Sequence, residues 1–321
     1  MSGRDAAVMP LVVARTWPLA RDIRGFELRD VAGAELAPFT AGAHIGIVAP
    51  NGALRKYSLT NDCIERDRYV IAVKRESGGR GGSASLFDDA REGMAFACST
   101  PRNDFALDAK AQRYLFVAGG IGVTPILSMV RELARIGDKP FKLYYLTRSA
   151  EDTAFAEDLA APEFAGHVVV HHDGGDPACS FDLWPLFERP QPTHVYCCGP
   201  RGLLQAVRDM TGHWPASSIH FESFADAATL AIAEDRPFRV RLARSGDVVD
   251  VAAGQSILDA LRAHGLDVPS SCESGTCGTC RTRLLDGIAD HRDLFLSPAE
   301  QADMIMVCVS RARSPELVID R

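Results

Sequence analysis

The chain has 321 residues, 46% of them hydrophobic and 24% charged, with a formal net charge of −7 and a pI near 5.7. At about 100–200 residues per domain this suggests two or three domains of ordinary globular composition, and an acidic chain without a Lys/Arg run excludes a nucleic-acid footprint. The longest apolar stretch, residues 115–130, is broken by Gly119, Gly120, Gly122 and Pro125 and is shorter than the roughly 20 residues a spanning helix needs, so no membrane segment is expected.

At the N-terminus Arg4 and Asp5 precede a short apolar run, residues 8–14, without a cleavage site, and a cytoplasmic protein is expected. Residues 8–108 read as short strands separated by turns. Residues 43–49, 56–60 and 69–74 are rich in β-branched or aromatic residues, Asn51-Gly52 marks a turn and residues 78–82 a glycine loop. The pattern suggests a small antiparallel barrel. Within it, Arg55, Lys56, Tyr57 and Ser58 suit a flavin: an aromatic face for the ring, a hydroxyl for its reactive edge, a guanidinium for phosphate. Alone, this match also fits an ordinary strand with alternating polar and aromatic residues. Arg80, Gly81, Gly82 and Ser83 precede a helical stretch, residues 84–90, and offer backbone N–H groups to an anion, or else form a flexible turn.

From residue 112 the rhythm changes. An apolar run, residues 114–118, leads into a glycine loop containing Gly120 and then a helical pattern over 124–136, with Thr124 as N-cap and Pro125 as the first helical residue. Residues 142–147, 168–172 and 194–198 read as buried strands with helices between them, which predicts a parallel α/β sheet. The glycine loop would receive a pyrophosphate at a helix N-terminus, although it is not the G-x-G-x-x-G fingerprint. Cys198, Gly199 and Pro200, at the end of a later strand, belong where such sheets bind ligands. His171-His172-Asp173 reads as surface polarity rather than a metal site, and Phe224 closes the α/β unit either as a core residue or beside a flavin.

Residues 225–236 read as a linker. A hairpin over 238–243 and 248–251 follows, then a helix capped by Ser256 with Gly265 past its end, then a cysteine loop. Five of the nine cysteines, Cys63, Cys98, Cys179, Cys197 and Cys198, are scattered. Cys272, Cys277 and Cys280 are spaced C-x4-C-x2-C, with Cys308 following, which is the plant-type pattern for four thiolates on a [2Fe-2S] cluster. Gly275 and Gly278 would relieve crowding as the loop wraps the cluster. A zinc site, or a redox CxxC at Cys277 and Cys280, is the competing reading, but a redox pair needs neither Cys272 nor Cys308.

Taken in order, the runs RKYSLTND, YVIAVKRESGGRGGS, AGGIGVTP, YYLTR, VYCCGPRGLL, HFESF, PSSCESGTCGTC and IMVCVSRA resemble the phthalate dioxygenase reductase family of the ferredoxin-NADP reductase-like superfamily over nearly the whole chain. The resemblance implies three domains: an antiparallel β-barrel for FMN (1–110), an α/β parallel-sheet domain for NADH (111–225) and, after a linker (226–236), an α+β β-grasp ferredoxin domain (237–321). It implies flavin contacts from Arg55, Lys56, Tyr57, Ser58, Ala72, Val73, Lys74, Arg80, Gly81, Gly82 and Ser83, with Thr124 and Phe224 approaching from the second domain. Arg148 joins Gly120, Cys198, Gly199 and Pro200 at the nucleotide. The implied route runs from NADH through FMN and [2Fe-2S] to a Rieske-type oxygenase, phthalate dioxygenase being the expected partner. Hydride transfer needs no side-chain acid or base, so no catalytic residue is assigned. A monomer is expected. Ser149 departs from the pattern, which leads one to expect an acid there that would favour the free ribose hydroxyl of NADH.

Overall fold

The computed structural model describes residues 8–76, 81–224 and 235–321; Arg80 and residues 225–234, nearly all of the expected linker, lie outside them. Alternating apolar residues build the first sheet. Strands β1 (Val8–Ala20), β2 (Ile23–Asp30), β3 (His44–Val48), β4 (Leu54–Ser58) and β5 (Tyr69–Lys74) are followed by helix α1 (Gly82–Asp89) and strand β6 (Ala95–Ser99). They pair antiparallel in the order β4-β3-β6-β1-β2-β5. Period-two alternation points Leu11, Val13, Phe26, Leu28, Ile45, Ile47, Ile71 and Val73 into one core. The two ends of the sheet meet just past β4: the Thr60 amide donates to the Val70 carbonyl at 2.8 Å, and the Val70 amide to Asn61 Oδ1 at 3.0 Å. That closes the barrel.

The α/β segment consists of β7 (Tyr114–Gly119), α2 (Val123–Ile136), β8 (Phe141–Thr147), α3 (Ala156–Leu159), β9 (Val168–His172), α4 (Trp184–Phe187), β10 (His194–Cys198), α5 (Arg201–Met210) and β11 (Ile219–Glu222). The order is β11-β10-β7-β8-β9, with β10, β7, β8 and β9 parallel. The helices expected between β8 and β10 are single turns, because Pro162, Gly166, Gly174, Gly175 and Pro177 interrupt that stretch. Thr124 is not the N-cap of α2. A 3₁₀ turn, Gly120–Gly122, begins the helical chain earlier, and Thr124 Oγ1 instead donates back to the Ile121 carbonyl at 3.0 Å. Among the described residues no helix is long and apolar enough to cross a membrane.

The chain divides into two compact units, Met1–His220 and Phe221–Arg321. The second contains β12 (Phe238–Leu242), β13 (Val248–Val251), α6 (Ile257–Ala263), β14 (Arg281–Asp286), β15 (Ala289–Asp290), β16 (Met304–Met306), β17 (Arg311–Ala312) and β18 (Glu316–Ile319). Its main sheet has the order β13-β12-β18-β14-β16, with β12 and β18 parallel. Ser256 caps α6 as expected, accepting from the Asp259 amide at 3.0 Å and donating to its carboxylate at 2.8 Å. Leu258, Leu261, Val240, Val307 and Leu317 share the core between helix and sheet.

Candidate functional site

The flavin candidates of the barrel converge on the start of α1. Arg55 and Tyr57 lie on β4, and α1 packs against β4 and β5. Gly82 has no Cβ because one would sit 2.7 Å from Arg55 Nε, so the guanidinium lies against the helix N-terminus. Gly81, at φ +77°, occupies the N-cap without a side-chain bond, leaving the first N–H groups of α1 and the Arg55 charge on one side. That combination suits a phosphate. The Tyr57 hydroxyl is buried with no hydrogen-bond partner among the described residues, and Ser58 beside it is buried. A buried phenol O–H calls for an acceptor, which the polar edge of a bound ring would supply. On β5, Ala72 and Val73 are buried, and Lys74 is exposed and pairs with Glu76 at 2.8 Å. Ala72 shares a buried cluster with Ala118 and Val123, which brings the barrel wall to the first turn of α2, where Thr124 is also buried. Ser83 lies in α1 and its hydroxyl accepts from the Glu76 amide at 3.4 Å.

The two glycine-containing motifs read apart in the sequence are in contact. A Cβ on Gly122 would stand 2.2 Å from the Cys198 carbonyl oxygen, and one on Gly119 2.7 Å from Pro200 Cδ. Gly199 lies equally close to the Gly119 backbone, a Cβ there reaching its Cα at 3.0 Å. Only glycine lets the ends of β7 and β10 approach this closely, and their loops form the crevice at the carboxyl ends of the strands where α/β sheets bind ligands. Gly120, at φ +52°, has open space around it. Cys198 is fully buried, and its carbonyl lies against Gly122. Arg148 is exposed just past β8, and its carbonyl accepts from the Gly174 amide at 2.8 Å. His172 Nδ1 bonds Thr147 Oγ1 at 2.9 Å and His171 Nε2 bonds the Cys179 carbonyl at 2.8 Å, so this pair is spent on the scaffold. Phe224 follows β11 and is exposed.

In the second unit the four cysteines form two pairs. Cys272 and Cys277 hydrogen-bond each other, as do Cys280 and Cys308. The bond from Cys277 draws the Cys272 thiol down to about 4 while Cys277 is pushed up; likewise Cys280 is lowered by Cys308, which is raised in turn. In each pair one sulfur is drawn toward the thiolate, the ligand form. Two thiolates on each of two irons is the distribution a [2Fe-2S] cluster takes, and the donor set fits that group. Backbone amides also face the sulfurs: Cys272 N lies 3.5 Å from Cys277 Sγ and Ser274 N 3.4 Å from Cys272 Sγ. Gly275 and Gly278 adopt φ +78° and +80°, where a Cβ would strike Val309 and the Phe295 ring.

Sequence reading missed the residues that support this loop. Asp293, buried, accepts from the Leu296 amide at 2.7 Å and the Phe295 amide at 3.1 Å, and Leu294 N donates to the Gly275 carbonyl at 3.0 Å. Beside it Asp235 accepts from Arg292 Nη1 at 3.0 Å and lies 3.6 Å from Arg311 Nε, the three side chains being only 6–7% exposed. No local pattern announces such a network, because Asp235 and Arg311 stand far apart in the chain.

Residues 240–313 match the 2Fe-2S iron-sulfur cluster binding domain family. The chain is 55% identical to the phthalate dioxygenase reductase of Burkholderia cepacia, over 99% of this chain and 98% of that protein. It is 54% identical to the reductase subunit of phthalate 4,5-dioxygenase from Pseudomonas putida, over 96% and 95%. A solved phthalate dioxygenase reductase, described as a modular structure for electron transfer from pyridine nucleotides to [2Fe-2S], superposes with a TM-score of 0.76 at 53% identity, covering 100% of each chain.

Proposed function

This chain belongs to the phthalate dioxygenase reductase family, and we propose that it carries electrons from NADH through FMN and a [2Fe-2S] cluster to the oxygenase component of a Rieske-type aromatic-acid system, with phthalate dioxygenase as the partner. We assign the three modules to residues 1–110, 111–225 and 237–321, joined by 226–236. One observation carries the reading: an anion cradle at Arg55 and Gly82 and a glycine crevice at Gly122 and Cys198 stand in one unit of a chain whose other unit holds two thiol pairs.

Arg55 and the N–H groups of α1 would hold the flavin phosphate, and the Tyr57 hydroxyl would donate to a polar edge of the ring. The close approach of residues 119–122 to Cys198 and Gly199 leaves exposed backbone for the pyrophosphate. Cys272, Cys277, Cys280 and Cys308 would ligate the two irons. Held there, a flavin would supply the conversion from a two-electron hydride donor to the one-electron carrier that the four cysteines would hold.

Metal and flavin analysis of the purified protein, combined with the Cys308→Ser variant, tests this. About two irons per chain and one released FMN are expected. Cys308→Ser should lose the cluster's visible absorption while stopped-flow flavin bleaching by NADH stays within about twofold, because every flavin and nucleotide candidate except Phe224 lies in the other unit. Zinc in place of iron, released FAD, or loss of flavin bleaching with the cluster retained would overturn the assignment.

A further inference from the structure

Within the first compact unit, α2 of the α/β sheet is tied to the barrel along its outer length. Met129, Glu132 and Arg135 stand three residues apart, each a neighbour of the next on the helix surface. Met129 lies over Gly42, just before β3, where a Cβ would stand 2.7 Å from the Met129 Cε. One turn on, Glu132 Oε2 accepts from Cys63 Sγ at 3.0 Å, and after it Arg135 Nε donates to Asp62 Oδ2 at 2.8 Å. Two adjacent residues of a barrel loop thus hold the last turn of α2 through two pairs. Burial, and then the hydrogen bond to Glu132, push the Cys63 thiol up to about 12, so it stays protonated and keeps donating at ordinary pH.

That loop continues the strand that carries Tyr57 and Ser58. Three residues past Ser58, the buried Asn61 fixes its path, accepting from the Val70 amide at 3.0 Å and donating to Glu65 Oε2 at 3.0 Å and the Arg68 carbonyl at 3.2 Å. Asp62 and Cys63 follow at once, and Cys63 packs with Tyr57 against the barrel core. The other end of α2 begins in the turn where Gly122 lies on Cys198, with Thr124 buried in the first helical turn. The helix has 14 residues and at 1.5 Å each is about 21 Å long, with Met129 near its middle. A tilt at the clamped end therefore displaces the first turn, and with it whatever the glycine turn holds, relative to the barrel strand. Reacting atoms must stand about 3–3.5 Å apart, and a misplacement of about 1 Å set by a distant residue can lower a rate about a hundredfold. Partly exposed pairs add little to stability, so what this clamp supplies is geometry.

We propose that the Cys63–Glu132 and Asp62–Arg135 contacts set the position of the nicotinamide over the flavin through α2, which makes Glu132 a positioning residue for hydride transfer. This rests on the reductase reading above. The test uses the holoenzyme. Stopped-flow flavin bleaching over a range of NADH concentrations separates the saturating rate from the dissociation constant, and calorimetry measures NAD+ binding alongside. Glu132→Ala should lower the saturating rate about tenfold while both nucleotide affinities stay within about twofold, because the clamp lies at the end of α2 away from the glycine turn. Arg135→Ala, at an exposed position, should lower the rate about threefold. Glu132→Gln still accepts from the thiol and Cys63→Ser still donates to the carboxylate, so both should stay within about twofold of wild type. Saturating rates within twofold of wild type in both Glu132→Ala and Arg135→Ala would overturn the proposal. So would a loss shared equally by Glu132→Gln and Cys63→Ser, or one carried by weaker nucleotide binding alone. A wild-type flavin that NADH does not bleach would instead overturn the reductase reading on which the proposal stands.

Discussion

Burial raises the Tyr57 phenol to about 12, against an ordinary value of 10. Tyr69, whose hydroxyl donates to the Ala37 carbonyl at 2.5 Å, is raised to about 12 for the same reason, and Tyr145 and Tyr196 shift in the same direction. In each case the folded chain favours the neutral phenol. Their contribution to stability is therefore fully present below about pH 10 and is lost as pH rises through about 12. The urea midpoint should hold steady to about pH 8, begin to fall near pH 9 as the buried thiols of Cys63 and Cys98 would ionise on unfolding, and fall further above pH 10, with tyrosinate absorbance rising along with unfolding rather than before it. Ionisation of all six tyrosines near pH 10 with no loss of stability would contradict this. The residue types at Arg55 and Tyr57 were legible from the alternation of β4, whose surface exposure alternates as expected. That the Tyr57 hydroxyl has no partner among the described residues was not legible, because it depends on every chain segment packed around it.

Among the elements, those with local rules came out as read: β5 matches residues 69–74, β10 matches 194–198, and Ser256 caps α6. The start of α2 did not, because a 3₁₀ turn placed by the contact of Gly122 with Cys198 moved the helical chain upstream of Thr124. The ion-pair network around Asp235 ties residue 235 to β17 and to Arg292, next to the Asp293 that supports the cluster loop. Asp235→Asn removes the carboxylate between the two nearly buried guanidiniums, leaving Arg292 on Asp290 at 2.7 Å and Arg311 on backbone carbonyls. Breaking a buried pair from one side costs about 3–5 kcal/mol. The variant should lose its cluster absorbance at markedly lower urea than wild type, and Asp235→Glu should recover part of the difference. An unchanged midpoint in Asp235→Asn would show that the network carries no stability.

For the assembled reductase, the charges nearest the cluster loop are already neutralised within the chain. Arg281 pairs with Glu300 at 3.1 Å and Arg262 with Glu273 at 3.0 Å, while Phe295, over Gly278, is 42% exposed. Residues 237–321 carry 10 Arg and no Lys against 12 Asp and Glu, a net of −2. A partner docking here would meet a mixed face with an apolar patch rather than a single-signed field. The rate of oxygenase reduction should therefore fall only a few-fold between low salt and physiological ionic strength, where the Debye length is about 8 Å. Arg281→Glu, which sets two acids side by side, should slow it more than salt does. A hundredfold fall with salt, or no effect of the substitution, would reject this docking face.

Spacing along the chain was enough to specify the cysteine loop, the two glycine motifs, the barrel strands and the order of the modules. Each of these answers a requirement met within a few residues: a loop tight enough for two irons, a strand that alternates, a helix that needs a cap. Contacts between distant segments were settled only in three dimensions. Gly122 against Cys198, Arg55 against Gly82, and Asp235 between Arg292 and Arg311 each join chain segments at least 27 residues apart. Such proximity is paid for by packing and burial rather than by any local preference, so nothing in the neighbouring residues announces it.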